Sequence, residues 1–219
     1  MNKKIIDACA VIRHDSKRRN EVWKEFLAGR PRPFYIRRVL QSVPELRGEA
    51  WEALRAAGPH KSDLIFIMRN IEELREVAGI EMIERYKDVY SLLITARYVP
   101  EIFSRVAILL QDKHLDQRQL RYAIRWVSDF RPIAAHVILN SKKILREDLR
   151  RIIKYVPEHA EEAGERLFDT KLSTIDYFYI GKYVLSSRLI VAKKLSSFPE
   201  GKKVLAKLFS VTKDDVFKC

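Results

Sequence analysis

The sequence predicts an all-α fold, an α-solenoid of about seven two-helix repeats that wind into a right-handed superhelix. Two patterns carry this prediction: a repeat of about 28 residues along most of the chain, and apolar residues at helical spacing in both halves of each repeat. A third observation is the composition, since 47% apolar residues suffice for a packed core despite a net charge of +13.

The repeat is anchored on a Val-Pro-Glu string. It occurs at 43–45, 99–101 and 156–158, and related strings stand in register between these and after the last one. Successive anchors are 28, 28, 28, 29 and 28 residues apart. Small residues recur seven positions after each anchor, and large aliphatic residues eleven positions after it. Such columns predict that every repeat buries the same positions, as in a stacked array.

This register defines the predicted organisation of the chain. We expect a single α-helical repeat domain, 1–219, whose first repeat is atypical. The predicted repeats are, in chain order, about 7–34, 35–62, 63–90, 91–118, 119–147, 148–175 and 176–198, followed by a capping helix at about 199–210.

Each repeat is expected to hold two short helices, helix A and helix B. Helix A is predicted at positions −7 to 0 relative to the anchor, with apolar residues at −7, −4, −3 and 0. Position −8 predicts helix N-caps in five repeats, with Asp7, Asp63, Ser91, Asp148 and Asp176. The proline after the anchor predicts the end of helix A and the first residue of helix B. Helices this short are unstable alone, so they must stack.

Paired short helices with a central Val-Pro-Glu and a small-residue column resemble the HEAT-like and leucine-rich-repeat-variant solenoids. The resemblance covers about residues 5–198. It implies a curved binding scaffold, usually for protein and sometimes for nucleic acid. The 28-residue period lies between those of the two families, which leaves the subfamily open.

Most of the positive charge falls on helix A. In repeats two to seven, positions −7 to 0 hold ten basic residues and no acidic one, whereas positions +1 to +12 hold 13 acidic and 9 basic residues. Position −2 is basic in six of seven repeats and is expected to point outward. The helix dipole favours such last-turn cations. It does not explain the cations in the first half of helix A, which are Arg37, Arg38, Arg121, Arg150 and Arg151.

Aromatic residues accompany these cations. The −2 cation precedes an aromatic residue in four repeats, as Arg97-Tyr98, Arg125-Trp126, Lys154-Tyr155 and Lys182-Tyr183. These rings either wedge between repeats or stack exposed bases. Position −5 is expected to point outward and to form an apolar seam that suits a peptide, through Phe66, Ile94, Tyr122 and Tyr179.

The predicted function is a non-catalytic binding scaffold for an anionic partner. A protein or acidic peptide segment is favoured, and single-stranded RNA or DNA is the alternative. A HEAT-like DNA glycosylase is a remote third hypothesis, for which Trp126 with Asp129 is the only comparable grouping. The predicted partner-binding residues are Arg69, Arg97, Arg121, Arg125, Trp126, Arg150, Arg151, Lys154 and Lys182.

Several kinds of chemistry are not expected. The chain has no glycine-rich phosphate loop and no shared histidine column, so we predict no cofactor, no metal site and no catalytic residue. No apolar run approaches the ~20 residues of a membrane span, so no membrane partner is expected. Two cysteines, Cys9 and Cys219, are too few for a disulfide framework, which favours a cytoplasmic setting. Cys9 is expected to be a small buried side chain.

Overall fold

The computed structural model describes the backbone of residues 3–215 and the side chains of residues 6–208. Within these ranges the chain forms fifteen α-helices and six single turns of 3-10 helix, with no β-strand. The chain divides into two compact units, Met1–Lys113 and His114–Cys219.

The first unit contains eight helices in four consecutive pairs. Their bounds are α1 Lys3–His14, α2 Arg19–Ala28, α3 Pro33–Ser42, α4 Arg47–Ala56, α5 Lys61–Asn70, α6 Arg75–Arg85, α7 Val89–Tyr98 and α8 Phe103–Gln111. The odd-numbered helices are helix A of each repeat and pack in a row, α1 on α3, α3 on α5 and α5 on α7. Each helix B packs on the helix A that precedes it.

The second unit repeats this arrangement. Its helices are α9 Gln117–Trp126, α10 Arg131–Leu139, α11 Arg146–Tyr155, α12 Ala160–Phe168, α13 Thr174–Tyr183, α14 Arg188–Ser196 and α15 Gly201–Asp215. Helix A of each repeat again packs on the next, α9 on α11 and α11 on α13, and the final helix α15 packs on α13 and α14.

The core of both units is built from the predicted columns. The six anchors from Val43 to Val184, the small residues seven positions later and the aliphatic residues eleven positions later are all at most 3% exposed. Identical positions are therefore buried in successive repeats. The predicted class, an all-α helical-repeat solenoid, is confirmed by this neighbour-to-neighbour packing within each unit. The single domain, the repeat limits and the superhelix handedness stay predictions.

Helix A begins earlier than predicted. In repeats two to seven it runs from position −10 to position −1. Asp63 and Asp176, predicted as N-caps, lie inside the first turn and accept hydrogen bonds from the backbone N–H groups of His60 at 3.1 Å and Ser173 at 2.7 Å. These pairs are capping boxes. The N-cap prediction was wrong because the helix dipole also favours aspartate within the first turn.

Proline does not begin helix B. Pro44, Pro100 and Pro157 each start a single turn of 3-10 helix, and the α-helix begins four positions after the anchor. The same turn forms after Ile71 and Val127, where no proline follows. The anchor is buried and the 3-10 turn follows it with or without proline, so proline is not required for the bend.

Arginine joins the two helices of several repeats. Helices α2, α4, α6, α10 and α14 all begin with arginine. In four of them its Nε donates a hydrogen bond to a carbonyl oxygen seven residues earlier, from Arg19 to Ile12, Arg47 to Leu40, Arg131 to Ile124 and Arg188 to Gly181, at 2.9–3.2 Å. These carbonyls belong to the last turn of helix A and lack a partner within the helix. This arginine column is not among the columns predicted from the sequence.

Two further expectations concern membranes and cysteines. Among the residues described, no helix combines the length and the apolar character needed to cross a membrane. Cys9 is buried as expected, and this burial raises the pKa of its thiol. Cys219 lies outside the described residues.

Overpacking the small-residue column should destabilise the repeat stack. Ala163 is a fully buried residue of α12. Ala163→Leu should lower the free energy of unfolding by about 1–3 kcal/mol in urea denaturation, because a packed core has no room for three further carbon atoms. The control is Glu161→Leu on the exposed face of α12, with a change within about 0.5 kcal/mol. Equal losses in the two variants would contradict this account.

Candidate functional site

The cation at position −2 lies against the ring of its neighbour in four successive repeats. The distances from cation to ring centroid are 4.9 Å for Arg97–Tyr98, 4.6 Å for Arg125–Trp126, 4.7 Å for Lys154–Tyr155 and 5.2 Å for Lys182–Tyr183. At these distances the ring quadrupole attracts the cation. Each cation is thus held in place, and it covers one face of its ring.

A basic groove lies on the helix-A row of the second unit. Its volume is about 340 Å³, and its walls come from α9, α11 and α13. The lining residues are Arg125, Glu147, Arg150, Arg151, Lys154, Tyr155, Ile175 and Tyr179. Four of these eight side chains are cationic, and Glu147 is the only carboxylate in this described lining.

Helical periodicity explains why these residues share one surface. Glu147, Arg151 and Lys154 stand four and then three residues apart, so they lie in one line along α11. Ile175 and Tyr179 stand at the equivalent positions of α13, where Tyr179 stacks on Tyr183 with ring centroids 6.1 Å apart. The groove therefore has a cationic wall on α11 and an apolar, phenolic wall on α13.

Arg150 is fixed by an ion pair with the next repeat. Its Nε donates to Asp176 Oδ1 at 2.6 Å, and its Nη2 donates to the Ser173 hydroxyl at 3.3 Å. Asp176 is fully buried. Burial acts to raise the pKa of Asp176, but hydrogen bonds from Arg150 and Ser173 outweigh it, so the pKa lies below its ordinary value of 3.8. The aspartate stays ionised and orients the guanidinium.

The same ion pair recurs at other repeat junctions. Arg121 Nη2 donates to Asp148 Oδ2 at 2.9 Å, and Asp148 raises the pKa of Arg121. In the first unit, Arg37 Nη1 donates to Asp63 Oδ1 at 2.9 Å. Position −6 of one repeat thus pairs with position −8 of the next. This explains the cations in the first half of helix A that the dipole left unexplained: three of the five join consecutive repeats.

The other cations of the groove have different partners. Arg151 forms a salt bridge with Glu147 one turn earlier on α11. The Tyr155 hydroxyl raises the pKa of Lys154, and Lys154 in turn lowers the pKa of Tyr155. Neither Lys154 nor Arg125 forms a salt bridge with any residue whose side chain is described. Two positive charges in the groove therefore have no ionic partner among the side chains of residues 6–208, and the surface has the chemistry to bind an anion.

The structure brings four of the nine predicted partner-binding residues into the groove, namely Arg125, Arg150, Arg151 and Lys154. Arg121, Trp126 and Lys182 belong to the same unit but do not line it. Arg69 and Arg97 belong to the first unit, where Arg69 is exposed on α5 and Arg97 is half-buried on α7.

The predicted outward seam at position −5 is wrong at one residue. Ile94 is only 4% exposed, because α7 buries every residue from 91 to 96. The polar members of that run are satisfied locally, since the Thr95 hydroxyl donates to the Ser91 carbonyl oxygen at 2.9 Å. Phe66, Tyr122 and Tyr179 are half-buried.

Two residues of the groove, Glu147 and Ile175, were not predicted from the sequence. Both stand at position −9, which the predicted helix A did not reach. Extending the spacing back from position −5 by one helical turn would have found them. With the observed bounds, helix A of repeats two to seven carries thirteen basic and four acidic residues. The basic excess persists, although acids now lie within the same helices.

Other predicted chemistry can be located as well. Among the side chains of residues 6–208, no three His, Cys, Asp or Glu residues are grouped so as to hold a metal ion. Trp126 is 39% exposed, and Asp129 is exposed and accepts a hydrogen bond from the Ser128 hydroxyl at 3.2 Å. Neither residue lines the basic groove.

The fold and the groove define a class of protein, an all-α helical-repeat protein with a basic surface groove. Comparison with protein-family models found no match. Comparisons with curated proteins and with solved structures also found none. The HEAT-like or leucine-rich-repeat-variant subfamily therefore stays a prediction from the sequence.

The buried aspartate predicts a pH-dependent stability. Because the pKa of Asp176 is lowered by folding, its ion pair stabilises the protein above the ordinary pKa and is lost as the pH falls through the lowered one. At pH 7 the free energy of unfolding should be about 1–3 kcal/mol higher for wild type than for Asp176→Asn. The difference should shrink between about pH 5 and pH 2 in urea titrations. The control is Asp129→Asn, which changes an exposed aspartate. If the difference in unfolding free energy between wild type and Asp176→Asn did not depend on pH, the ion pair would be contradicted.

Proposed function

We propose that this protein is a non-catalytic helical-repeat binding scaffold of the HEAT-like or leucine-rich-repeat-variant type, acting in the cytoplasm. Its groove between α9, α11 and α13 binds an acidic segment of another protein. One observation carries the proposal: Arg125 and Lys154 face this groove without an ionic partner among the described side chains. Cations held in position beforehand bind an anion with little loss of side-chain entropy.

The lining favours a peptide over a nucleic acid. Bases stack on open aromatic faces, whereas in this lining Tyr155 already has a cation over one face of its ring, and Tyr179 stacks on Tyr183. Ile175 is 57% exposed in the opposite wall, where it offers an apolar contact to a side chain. A segment with carboxylates and one apolar anchor matches both walls.

The cations outside the groove have a supporting role in this proposal. Arg69 and Lys182 are basic positions of the same column, and Arg97 continues it on α7. Positive charge on helix A raises the encounter rate of an acidic partner without contacting it in the final complex. Replacing these residues should therefore slow association more than it speeds dissociation.

Nucleic acid is the second candidate because one cation–aromatic pair occurs in each of four consecutive repeats. A single strand bound along the three pairs of the second unit would have one phosphate neutralised at each of these repeats. Its affinity would then fall steeply with salt, since each neutralised phosphate releases counterions. A peptide anchored on Ile175 would keep part of its affinity in the same titration, because apolar burial is not screened.

Charge reversal in the groove should abolish peptide binding. The variant is Arg125→Glu/Lys154→Glu, and the probes are a labelled peptide of glutamates around one leucine and a labelled oligouridine. We expect the peptide Kd, from fluorescence anisotropy at about 50 and 200 mM salt, to rise at least about tenfold. The rise follows because two attractive charges become repulsive.

The matched control is Lys193→Glu/Lys194→Glu. It makes the same change in net charge on exposed residues of α14, away from the groove. The control should bind like wild type, and circular dichroism should show both variants folded. Equal loss in both variants would show that only net charge matters. Tighter, steeply salt-dependent binding of oligouridine would instead support the nucleic-acid function.

A further inference from the structure

The charge balance of the groove points to the kind of anion that it selects. A salt bridge with Glu147 neutralises the charge of Arg151, and a salt bridge with Asp176 neutralises the charge of Arg150. Asp176 is shared with a second cation, because Arg146 Nη1 lies 3.7 Å from its Oδ2. Neutralising the groove therefore requires at least two negative charges, for Arg125 and Lys154. One carboxylate supplies a single charge.

The donors are also held in fixed directions. Arg150 uses Nε and Nη2 in its bonds to Asp176 and Ser173, so its Nη1 hydrogens have no partner within the described part of the chain. Lys154 is held by Tyr155, and Arg125 lies against Trp126. Three cationic groups on two neighbouring helices thus present hydrogen-bond donors around one cavity. A phosphate group offers three terminal oxygens as acceptors and carries a charge of about −1.5 to −2 at neutral pH.

We propose that the groove recognises a phosphate monoester on the bound protein segment, that is, a phosphorylated side chain. This inference rests on the proposed function and names the chemistry of the partner. The dianion balances Arg125 and Lys154, and it accepts hydrogen bonds from Arg150. Tyr155, Tyr179 and Ile175 contact the carbon atoms that carry the phosphate.

A phosphodiester fits this balance less well. Each diester of a nucleic-acid strand carries one charge, so a single phosphate in the groove would leave one of the two cations unpaired. A monoester places both charges at one point. A glutamate side chain, like a phosphodiester, carries one negative charge. A phosphorylated peptide should therefore bind more tightly than the same peptide with glutamate at that position.

The test compares three peptides of one acidic sequence by isothermal titration calorimetry. The central residue is phosphotyrosine, glutamate or unmodified tyrosine, and the sodium salts of inorganic phosphate and uridine monophosphate are separate probes. At pH 7.4 we expect the phosphopeptide to bind about tenfold more tightly than the glutamate peptide, which corresponds to one further charge-assisted contact. The free phosphates should bind more weakly, because they lack the contacts of the peptide chain.

The pH dependence provides an independent readout. The second pKa of a phosphate monoester is about 6, so the preference over glutamate should diminish towards pH 5.5. The charged and titratable groups that line the groove are Arg125 from α9, Glu147, Arg150, Arg151, Lys154 and Tyr155 from α11, and Tyr179 from α13. Behind them, Asp176 of α13 is buried under Arg150, and Arg131 of α10 lies over the Tyr155 ring. No histidine is among them, so loss of the preference reports the charge of the phosphate.

Variants link the preference to the two unbalanced cations. Lys154→Ala should remove the preference for the phosphopeptide over the glutamate peptide, and Lys154→Arg should retain it. The matched control is Lys182→Ala, which removes a lysine from the same column and the same kind of aromatic pair outside the groove. It should keep the full preference.

The outcomes separate this inference from the proposed function. Equal binding of the phosphopeptide and the glutamate peptide, both abolished by Arg125→Glu/Lys154→Glu, would overturn the phosphate preference and leave the acidic-segment function intact. Absence of binding by all three peptides would overturn the proposed function itself. Binding of free phosphate or uridine monophosphate as tight as that of the phosphopeptide would overturn the assignment to a protein segment.

Discussion

A ten-residue helix does not hold together in water, and nearly every helix in this chain is about that length. Stability must therefore come from burial against neighbours, which requires the same few positions to be apolar in each repeat. The anchors and the columns seven and eleven residues after them meet this requirement, since all are almost completely buried. The size of the side chains in the small-residue column then limits how closely consecutive repeats approach.

Ion pairs between consecutive A helices accompany this apolar packing. Arg121 reaches Asp148, and Arg150 reaches Asp176, each across the junction from one helix A to the next. A buried carboxylate is costly unless it is paired, so each aspartate requires the arginine of the preceding repeat. The same bond that joins two repeats also orients Arg150 at the edge of the groove. Structural and binding roles are thus combined in one side chain.

The sequence predicted the candidate site only in part. Position −2 placed Arg125 and Lys154 in one column of helix A, because their place in the register follows from the repeat alone, and both line the groove. Glu147 and Ile175 were missed, since helix A was predicted to start about three residues too late. Aspartate at position −8 caused that error, because it is compatible with an N-cap as well as with the first helical turn. The ion pairs of Arg37, Arg121 and Arg150 were not predicted for a related reason. Their aspartate partners stand at position −8, one residue before the predicted start of helix A.

The sequence by itself determined the period, the buried columns, the all-α class and the sign of the charge on helix A. These follow from local chemistry: the 3.6-residue periodicity of a helix and the identity of residues 28 positions apart. The tertiary structure decided which cations are neutralised and which are left for a ligand. Arg150 meets Asp176 across 26 residues of chain, and Arg125 and Lys154 enter one groove from two helices. Such meetings depend on the stacking of neighbouring repeats, because ion pairing acts over a few ångströms in space, whatever the separation along the chain.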